Sequence, residues 1–477
     1  MLHIGPAIPE IIVLVGACAI LLGDLFWKRA FRSFMYYVAQ ATLVLAGLVA
    51  YRHPYPTPRL VLHGMLIADG LGTTLQISIF LITIVVFAYS RVYIAERGVF
   101  KSEYFALALF GVAGMCVMAT AAHFLTIYLG LELLSLSLYA LIAMQRDSVP
   151  ATEAAMKYFV LGALSSGLLL YGMSMLYGAT GSLEVTTVAT RLATLSSHNL
   201  VATLGLVFVL SGLAFKLGAV PFHMWIPDVY EGAPTAVTLY VSAAPKIAAL
   251  ALFLRLLVAG LHGLSGSWQD MVVLLAVLSM AVGNVVAIAQ ANLKRMLAYS
   301  AISHMGFVLL GILSVRANGY ADAVFYAIVY AFMTLGAFGV IILLSRKGFE
   351  ADRLEDLRGL YARSPWYAWM MLLFMFSMAG VPPTIGFYAK LAVIQAAVSA
   401  GFYGLAVAAV LFSVIGAFYY LRVIKLMFFD APVDTQPLRR APDLRWVLSL
   451  NGLAMIALAP WTGVMIAACR AAVHGLP

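Results

Sequence analysis

The sequence predicts an all-α membrane protein with about 14 transmembrane helices. Of its 477 residues, 64% are hydrophobic and 10% are charged, whereas a soluble globular protein carries about 25% charged residues. Long apolar runs recur along the whole chain, and one helical crossing of a bilayer needs about 20 apolar residues. The predicted crossings are 5–23, 34–51, 70–90, 104–120, 123–143, 155–178, 199–229, 236–258, 270–290, 296–315, 321–345, 366–398, 402–428 and 446–468.

The seventh and twelfth predicted crossings are too long for one continuous helix. Pro221 interrupts the seventh, and Pro382 with Pro383 interrupts the twelfth. Proline lacks a backbone N–H and breaks helices, and non-helical backbone at membrane depth is tolerated only inside protein or beside a water-filled cavity. We therefore expect helices 7 and 12 to be discontinuous.

Two segments of the chain show weak internal similarity. The stretch EAAMKYFVLGALSSGLLLYG from Glu153 aligns with DAVFYAIVYAFMTLGAFGVI from Asp322, and each precedes one of the interrupted crossings. Transporters are often built from such repeats, with coupling sites on discontinuous helices near the midplane. We expect two inverted five-helix repeats, helices 4–8 in residues 104–258 and helices 9–13 in residues 270–428. Peripheral helices 1–3 occupy residues 1–103, and helix 14 occupies 446–468.

The basic residues predict the orientation of the chain. With the N-terminus outside, loops after odd-numbered crossings hold 20 of the 29 Lys and Arg residues, and the opposite loops hold six. The positive-inside rule then places both termini on the periplasmic side of a bacterial inner membrane. The net charge of +9 therefore reflects topology, and we expect the lipid bilayer, not nucleic acid, as its partner. The charged segment 346–363 is expected to be a solvated surface.

The sequence lacks the cysteines for an iron–sulfur cluster and shows no nucleotide-binding motif. Its three cysteines, Cys18, Cys116 and Cys469, are scattered through apolar segments, whereas an iron–sulfur cluster needs four thiolates. No G-x-G-x-x-G motif follows a strand, and no P-loop is present. We expect no cofactor and no metal in this chain.

Four charged residues lie inside predicted crossings and well away from their ends: Glu132, Lys216, Lys246 and Lys390. A charge at the centre of a membrane helix costs roughly 2.5–3.5 kcal/mol. One interpretation is structural, with a Glu132–Lys216 ion pair and two lysines that reach the headgroups. However, one carboxylate cannot neutralise three lysines, and Lys246 and Lys390 have apolar residues for several turns on at least one side.

The alternative interpretation is a proton path. Burial favours the neutral form of a lysine and a nearby carboxylate favours its charged form, so moving Glu132 relative to Lys216 would change the favoured protonation state. His304 and His223 are candidate relays. Direct proton transfer needs about 2.6–3.2 Å or an intervening water, so this path requires internal water.

These residues lie in motifs that resemble the antiporter-like membrane subunits of respiratory complex I, the NADH:quinone oxidoreductase. The motifs are FKLGAVPFHMWIPDVYEGAPT at 215–235, NLKRMLAYSAISHMG from Asn292 and GVPPTIGFYAK from Gly380. The resemblance covers essentially the whole chain. It implies proton translocation, with Glu132 and Lys216 as a modulating pair, Lys246 as the central relay and Lys390 as the terminal group.

The resemblance also implies partners. NADH, FMN, iron–sulfur clusters and quinone would be bound by other subunits, and the neighbours would be the antiporter-like subunit M and small membrane subunits. Subunits of multi-subunit cation/proton antiporters share the same core, so that function stays open as an alternative. A structural scaffold whose buried charges fix helix register is a third hypothesis.

Overall fold

The computed structural model describes residues 4–26, 32–55, 57–194, 199–438 and 441–476, and these are mostly helical. The helices are α1 (Ile8–Phe26), α2 (Arg32–Arg52), α3 (Gly70–Glu96), α4 (Ser102–Thr120), α5 (Phe124–Ile142), α6 (Val149–Thr180), α7 (Val185–Leu192), α8 (Leu200–Leu217), α9 (Trp225–Gly232), α10 (Thr235–Leu252), α11 (Ser265–Ile288), α12 (Leu293–Leu313), α13 (Ala317–Leu344), α14 (Leu360–Arg363), α15 (Pro365–Ala379), α16 (Ile385–Ser399), α17 (Tyr403–Phe429), α18 (Pro442–Ala457) and α19 (Thr462–Val473). A π-helix, Phe253–Gly260, continues α10. Strands β1 (Arg59–Val61) and β2 (Leu66–Ala68) form an antiparallel hairpin, with Arg59 opposite Ala68.

The predicted all-α membrane class is confirmed. Among the described residues, twelve helices are long and apolar enough to cross a bilayer, and α18 with α19 makes a thirteenth if the bent pair is one span. The predicted twelfth crossing is divided into α15 and α16, which have 15 residues each. The count of fourteen and the two inverted repeats with their boundaries stay predictions. Of the residues used to predict orientation, Lys28, Arg29, Arg439 and Arg440 lie outside the described residues.

Both predicted helix breaks are present, and they have the same backbone geometry. Gly218 follows α8 with φ 86° and Gly380 follows α15 with φ 84°, both in the left-handed region. At the first break, the N–H groups of Gly218 and the next residue both donate to the carbonyl of Ala214 at 2.8 Å. At the second, the corresponding N–H groups donate to the carbonyl of Phe376 at 2.9 Å. A left-handed glycine of this kind ends a helix, and the prolines then prevent its continuation.

The interior of the protein is formed by α10, α12 and α13, which are almost completely buried. Helices that are apolar on all sides belong in a core, and these three carry Lys246 and His304. In contrast, α1, α2, α6 and α17 each expose an apolar face. Two of the predicted site residues, Lys246 and His304, therefore lie in the buried interior of the bundle.

Parts of the charged segment between α13 and α15 are packed against the protein, so the expectation that residues 346–363 form a solvated surface is wrong for those parts. The backbone N–H of Leu293 donates to the carbonyl of Asp352 at 2.6 Å, and that of Leu354 donates to Ala291 at 3.0 Å. Leu357 is fully buried. The segment thus pairs with the residues that begin α12.

Candidate functional site

Lys216 and Lys246 line the same small cavity. The cavity has a volume of about 20 Å³, and roughly 10–15 Å³ is sufficient for one water molecule. Its polar walls also include Ser135, Tyr158 and the indole of Trp225. The broken α8–α9 span and α10 therefore bring two predicted site lysines around a space for about one water.

Lys216 is bonded to a hydroxyl group and not to the predicted carboxylate. Its Nζ donates to Ser135 Oγ at 2.8 Å, and Ser135 lies one turn after Glu132 on α5. Glu132 is half-buried, and its Oε1 is buried without a hydrogen-bond partner. In the described part of the chain no ion pair joins Glu132 to Lys216, so their role as a modulating pair stays a prediction.

The hydrogen bond between Lys216 and Ser135 leads to a testable prediction. We expect Ser135→Ala to lower the rate of proton pumping about tenfold, because a hydrogen bond to a charged group contributes roughly 1.5–3 kcal/mol. The measurement is acidification of inverted membrane vesicles on NADH addition. Ser137→Ala is the matched control, since Ser137 Oγ bonds only to the carbonyl of Leu133, at 2.7 Å. Equal effects of the two variants would show that Ser135 has only a structural role.

Lys246 and Lys390 each bind the last carbonyl of a helix that ends at a break. Lys246 Nζ donates to the carbonyl of Leu217, the end of α8, at 2.7 Å. Lys390 Nζ donates to the carbonyl of Ala379, the end of α15, at 2.9 Å and to Ser413 Oγ at 3.0 Å. Helix C-termini carry partial negative charge. Both lysines are buried, with 1% and 8% exposure, so neither side chain reaches the surface of the protein.

His304 is held on both sides by tyrosine hydroxyls. Its Nδ1 lies 2.7 Å from Tyr326 Oη and its Nε2 lies 3.1 Å from Tyr420 Oη. One turn further along α12, the ring centre of Phe307 lies 5.0 Å from Lys390 Nζ. A neutral histidine has one donor and one acceptor nitrogen, which matches its two hydroxyl partners, and the role of His304 as a relay stays a prediction.

His223 lies in the break between α8 and α9, outside the lining of the cavity shared by Lys216 and Lys246. It is half-buried, and its Nδ1 is buried without a hydrogen-bond partner. The structure places it next to the broken helix without joining it to another site residue. Its role as a relay stays a prediction.

Arg255 and Lys294 are buried, although the count of basic residues that predicted the orientation placed both in loops. Arg255 is 3% exposed, and its guanidinium binds both carboxylate oxygens of Asp69 at 2.6 and 2.7 Å. Lys294 is 2% exposed and donates to the carbonyl of Ala233 at 2.8 Å. The sequence carried one signal for Lys294, since apolar residues follow it three, four and seven positions later.

Comparison with known proteins gives a consistent result. Residues 121–416 match the family described as NADH:quinone oxidoreductase/Mrp antiporter, transmembrane. NADH-quinone oxidoreductase subunit N of Thioalkalivibrio sulfidiphilus is 56% identical over 469 residues, 98% of each chain. A chain of respiratory complex I from Thermus thermophilus with bound aureothin is 32% identical, with a TM-score of 0.83, covering 97% of this chain and 99% of that chain.

A more distant structure shares the fold. A chain of the Mrp complex from a Dietzia species has a TM-score of 0.83 at 21% identity, covering 98% of this chain and 97% of that chain. At this identity the similarity concerns the fold alone. The identity to subunit N over nearly the full length is far higher. The chain therefore belongs to the antiporter-like membrane subunits of NADH:quinone oxidoreductase, and among them to the subunit N family.

Proposed function

We propose that this chain is a proton-translocating subunit of a bacterial NADH:quinone oxidoreductase. Electron transfer from NADH to quinone takes place in partner subunits, which bind NADH, FMN, iron–sulfur clusters and quinone, and it drives protons through this chain. In the proposal the protein lies in the inner membrane with both termini periplasmic. Within the described residues, no group of three or more His, Cys, Asp or Glu could hold a metal ion.

The observation that carries the proposal is the cavity between Lys216 and Lys246. Each lysine that faces it is bonded to a neutral oxygen, Ser135 Oγ or the carbonyl of Leu217. A structural role would call for carboxylate partners, because an unpaired buried charge is costly. In the proposal, a water molecule in this cavity links the two amines and provides the hydrogen-bonded contact that proton transfer needs.

We propose that protons pass from the Lys216 region to Lys246, and then by His304 to Lys390. Glu132 changes the favoured protonation state of Lys216 by its distance from the ammonium group. His223 is a further candidate relay beside the break. Gaps between these groups are longer than direct transfer allows, so internal water completes the path.

The position of Glu132 supports a neighbouring membrane subunit as the element that acts on it. On α5, Glu132 lies between Leu129 and Leu136, which are 67% and 57% exposed. These residues are spaced by three and four positions and so share one helix face. We propose that subunit M or a small membrane subunit of the complex packs on this face.

The proposed function is tested with Glu132→Ala and Lys216→Ala in the complete complex. Both variants should assemble with normal flavin content and should reduce NADH-driven acidification of inverted vesicles, because each removes a protonatable group from the path. Normal pumping by either variant would favour the scaffold hypothesis. Purification of the unmodified complex tests the antiporter alternative, which predicts other transporter subunits and no flavin or iron–sulfur proteins.

A further inference from the structure

The turn between α9 and α10, residues 233–235, is held by two charged side chains from the second half of the chain. Lys294, in the first turn of α12, donates to the carbonyl of Ala233 at 2.8 Å. Glu350, in the segment after α13, accepts a hydrogen bond from the hydroxyl of Thr235. The turn is therefore bound by a cationic and an anionic side chain, which come from two elements that follow it by about 60 and 115 residues.

Glu350 is fixed by further contacts with α3. Tyr93 Oη donates to its two carboxylate oxygens at 3.0 and 3.1 Å, and Arg97 forms a salt bridge with it at 2.5 Å. Tyr93 Oη in turn accepts from the backbone N–H of Thr235 at 3.2 Å. The Glu350 carboxylate is therefore held by Tyr93, Arg97 and Thr235, and these contacts restrict its position.

Lys294 differs from its neighbour Arg295, which binds side chains of α9 instead of the turn. Arg295 is partly exposed and pairs with Asp228 at 2.9 Å and Glu231 at 2.8 Å, and pairs of this kind contribute about 0–1 kcal/mol. Lys294 is buried, and the charged groups around it are Glu350, Asp352, Glu231 and Arg97. Removing one partner of a buried charge is far more disruptive than removing a surface pair.

The turn connects two elements that line the cavity of the proposed proton path. Trp225 lies on α9 and Lys246 on α10, and the Lys246 Nζ lies 5.1 Å from the centre of the Trp225 ring. The geometry of the turn therefore helps to set how these two side chains meet. Lys294 also shares α12 with His304, ten residues later, about 15 Å along a continuous helix.

We propose that Lys294 and Glu350, which we name the turn clamp, are positioning residues that couple the two halves of the chain. Through the turn at 233–235, the clamp transmits a displacement of α12 or of the segment after α13 to Trp225 and Lys246. Neither residue carries the translocated proton. This inference rests on the proposed function, because it assigns a role in the same proton path.

The test uses Glu350→Gln in the complete complex, with Glu355→Gln as the matched control, since Glu355 lies in the same segment and is exposed. The two measurements are NADH oxidation with an added quinone and NADH-driven acidification of inverted vesicles. We expect Glu350→Gln to lower pumping about tenfold, the effect of one hydrogen bond to a charged group, and to lower oxidation less. Glu355→Gln should leave both rates unchanged.

A purely structural role would lower both rates together through loss of assembled complex, which flavin content measures. Lys294→Met should reduce the pumping-to-oxidation ratio as Glu350→Gln does, and Lys294→Arg should restore part of it because the charge and donors remain. The double variant should lose less than the sum of the single losses, since both side chains act on one turn. If Lys294→Met does not assemble, Lys294→Arg and Glu350→Gln still give the ratio.

The variants distinguish a failure of the proposed function from a failure of the turn-clamp proposal. If complexes with Glu132→Ala and Lys216→Ala pump normally, the proposed function is wrong, and the turn-clamp proposal is then wrong as well. If those variants lose pumping but Glu350→Gln keeps the pumping-to-oxidation ratio of Glu355→Gln, only the clamp is wrong.

Discussion

Lys246→Met is expected to lower NADH-driven proton pumping about a hundredfold, the lower end of the contribution of a positioned proton-transfer group. Methionine has nearly the length of lysine, so it fills the same space, but it holds no transferable proton. It also leaves the carbonyl of Leu217 without the lysine that binds it at 2.7 Å. Pumping is measured by acidification of inverted vesicles and normalised to the flavin content of the assembled complex.

Lys425→Met is the control for Lys246→Met. The Lys425 side chain is 63% exposed and pairs with Asp430 at 2.7 Å, so its loss should change pumping little. A buried carbonyl left without a hydrogen-bond donor destabilises the protein by roughly 1–3 kcal/mol. Assembly of the complex is therefore measured together with the pumping rate. If assembled Lys246→Met complex pumps as fast as Lys425→Met complex, Lys246 is not on the path.

Gly218→Ala is expected to destabilise the complex and to impair pumping. A Cβ at Gly218 would lie 1.9 Å from Ile226 Cδ1 and 3.1 Å from Lys246 Nζ. Left-handed backbone costs a residue with a Cβ about 1–2 kcal/mol, and overpacking in a filled interior adds about 1–3 kcal/mol. Because Ile226 is fully buried, relief requires its side chain to repack or α9 to move against α10. The measurements are the thermal transition of the purified complex and the pumping rate.

Gly401 provides the matched control for this backbone cost. Its φ of 89° is nearly that of Gly218, but no atom lies within 4 Å of an added Cβ. Gly401→Ala should therefore show only the conformational cost, with normal pumping. Equal transition temperatures for the two variants would mean that the first break tolerates the added methyl group without moving α9.

The helices and their breaks could be predicted because their causes are local in sequence. Apolar runs set the spans, and Pro221, Pro382 and Pro383 set the two interruptions. The bend of 54° between α18 and α19 was not predicted, although Pro460 lies at that point. The buried lysines could likewise be identified, since they stand inside apolar runs.

The partners of the site residues could not be predicted, because they depend on how separate helices pack. The resemblance pairs Lys216 with Glu132, but its nearest hydrogen-bond partner is the hydroxyl of Ser135. Lys294 lies at the start of a helix beside the half-exposed Arg295, so a count of basic residues places both in a loop. Lys294 is buried because distant parts of the chain, including the turn at 233–235, pack against it.

The carbonyls that bind Lys246 and Lys390 have a consequence for the electrical balance of the path. A lysine paired with an aspartate leaves a lone anion in the membrane when its proton departs, and that anion attracts the next proton strongly. A backbone carbonyl has no net charge, so the neutral amine stays beside a neutral group. In the proposed path, each lysine can therefore lose and regain a proton without leaving behind an anion that would hold the next proton.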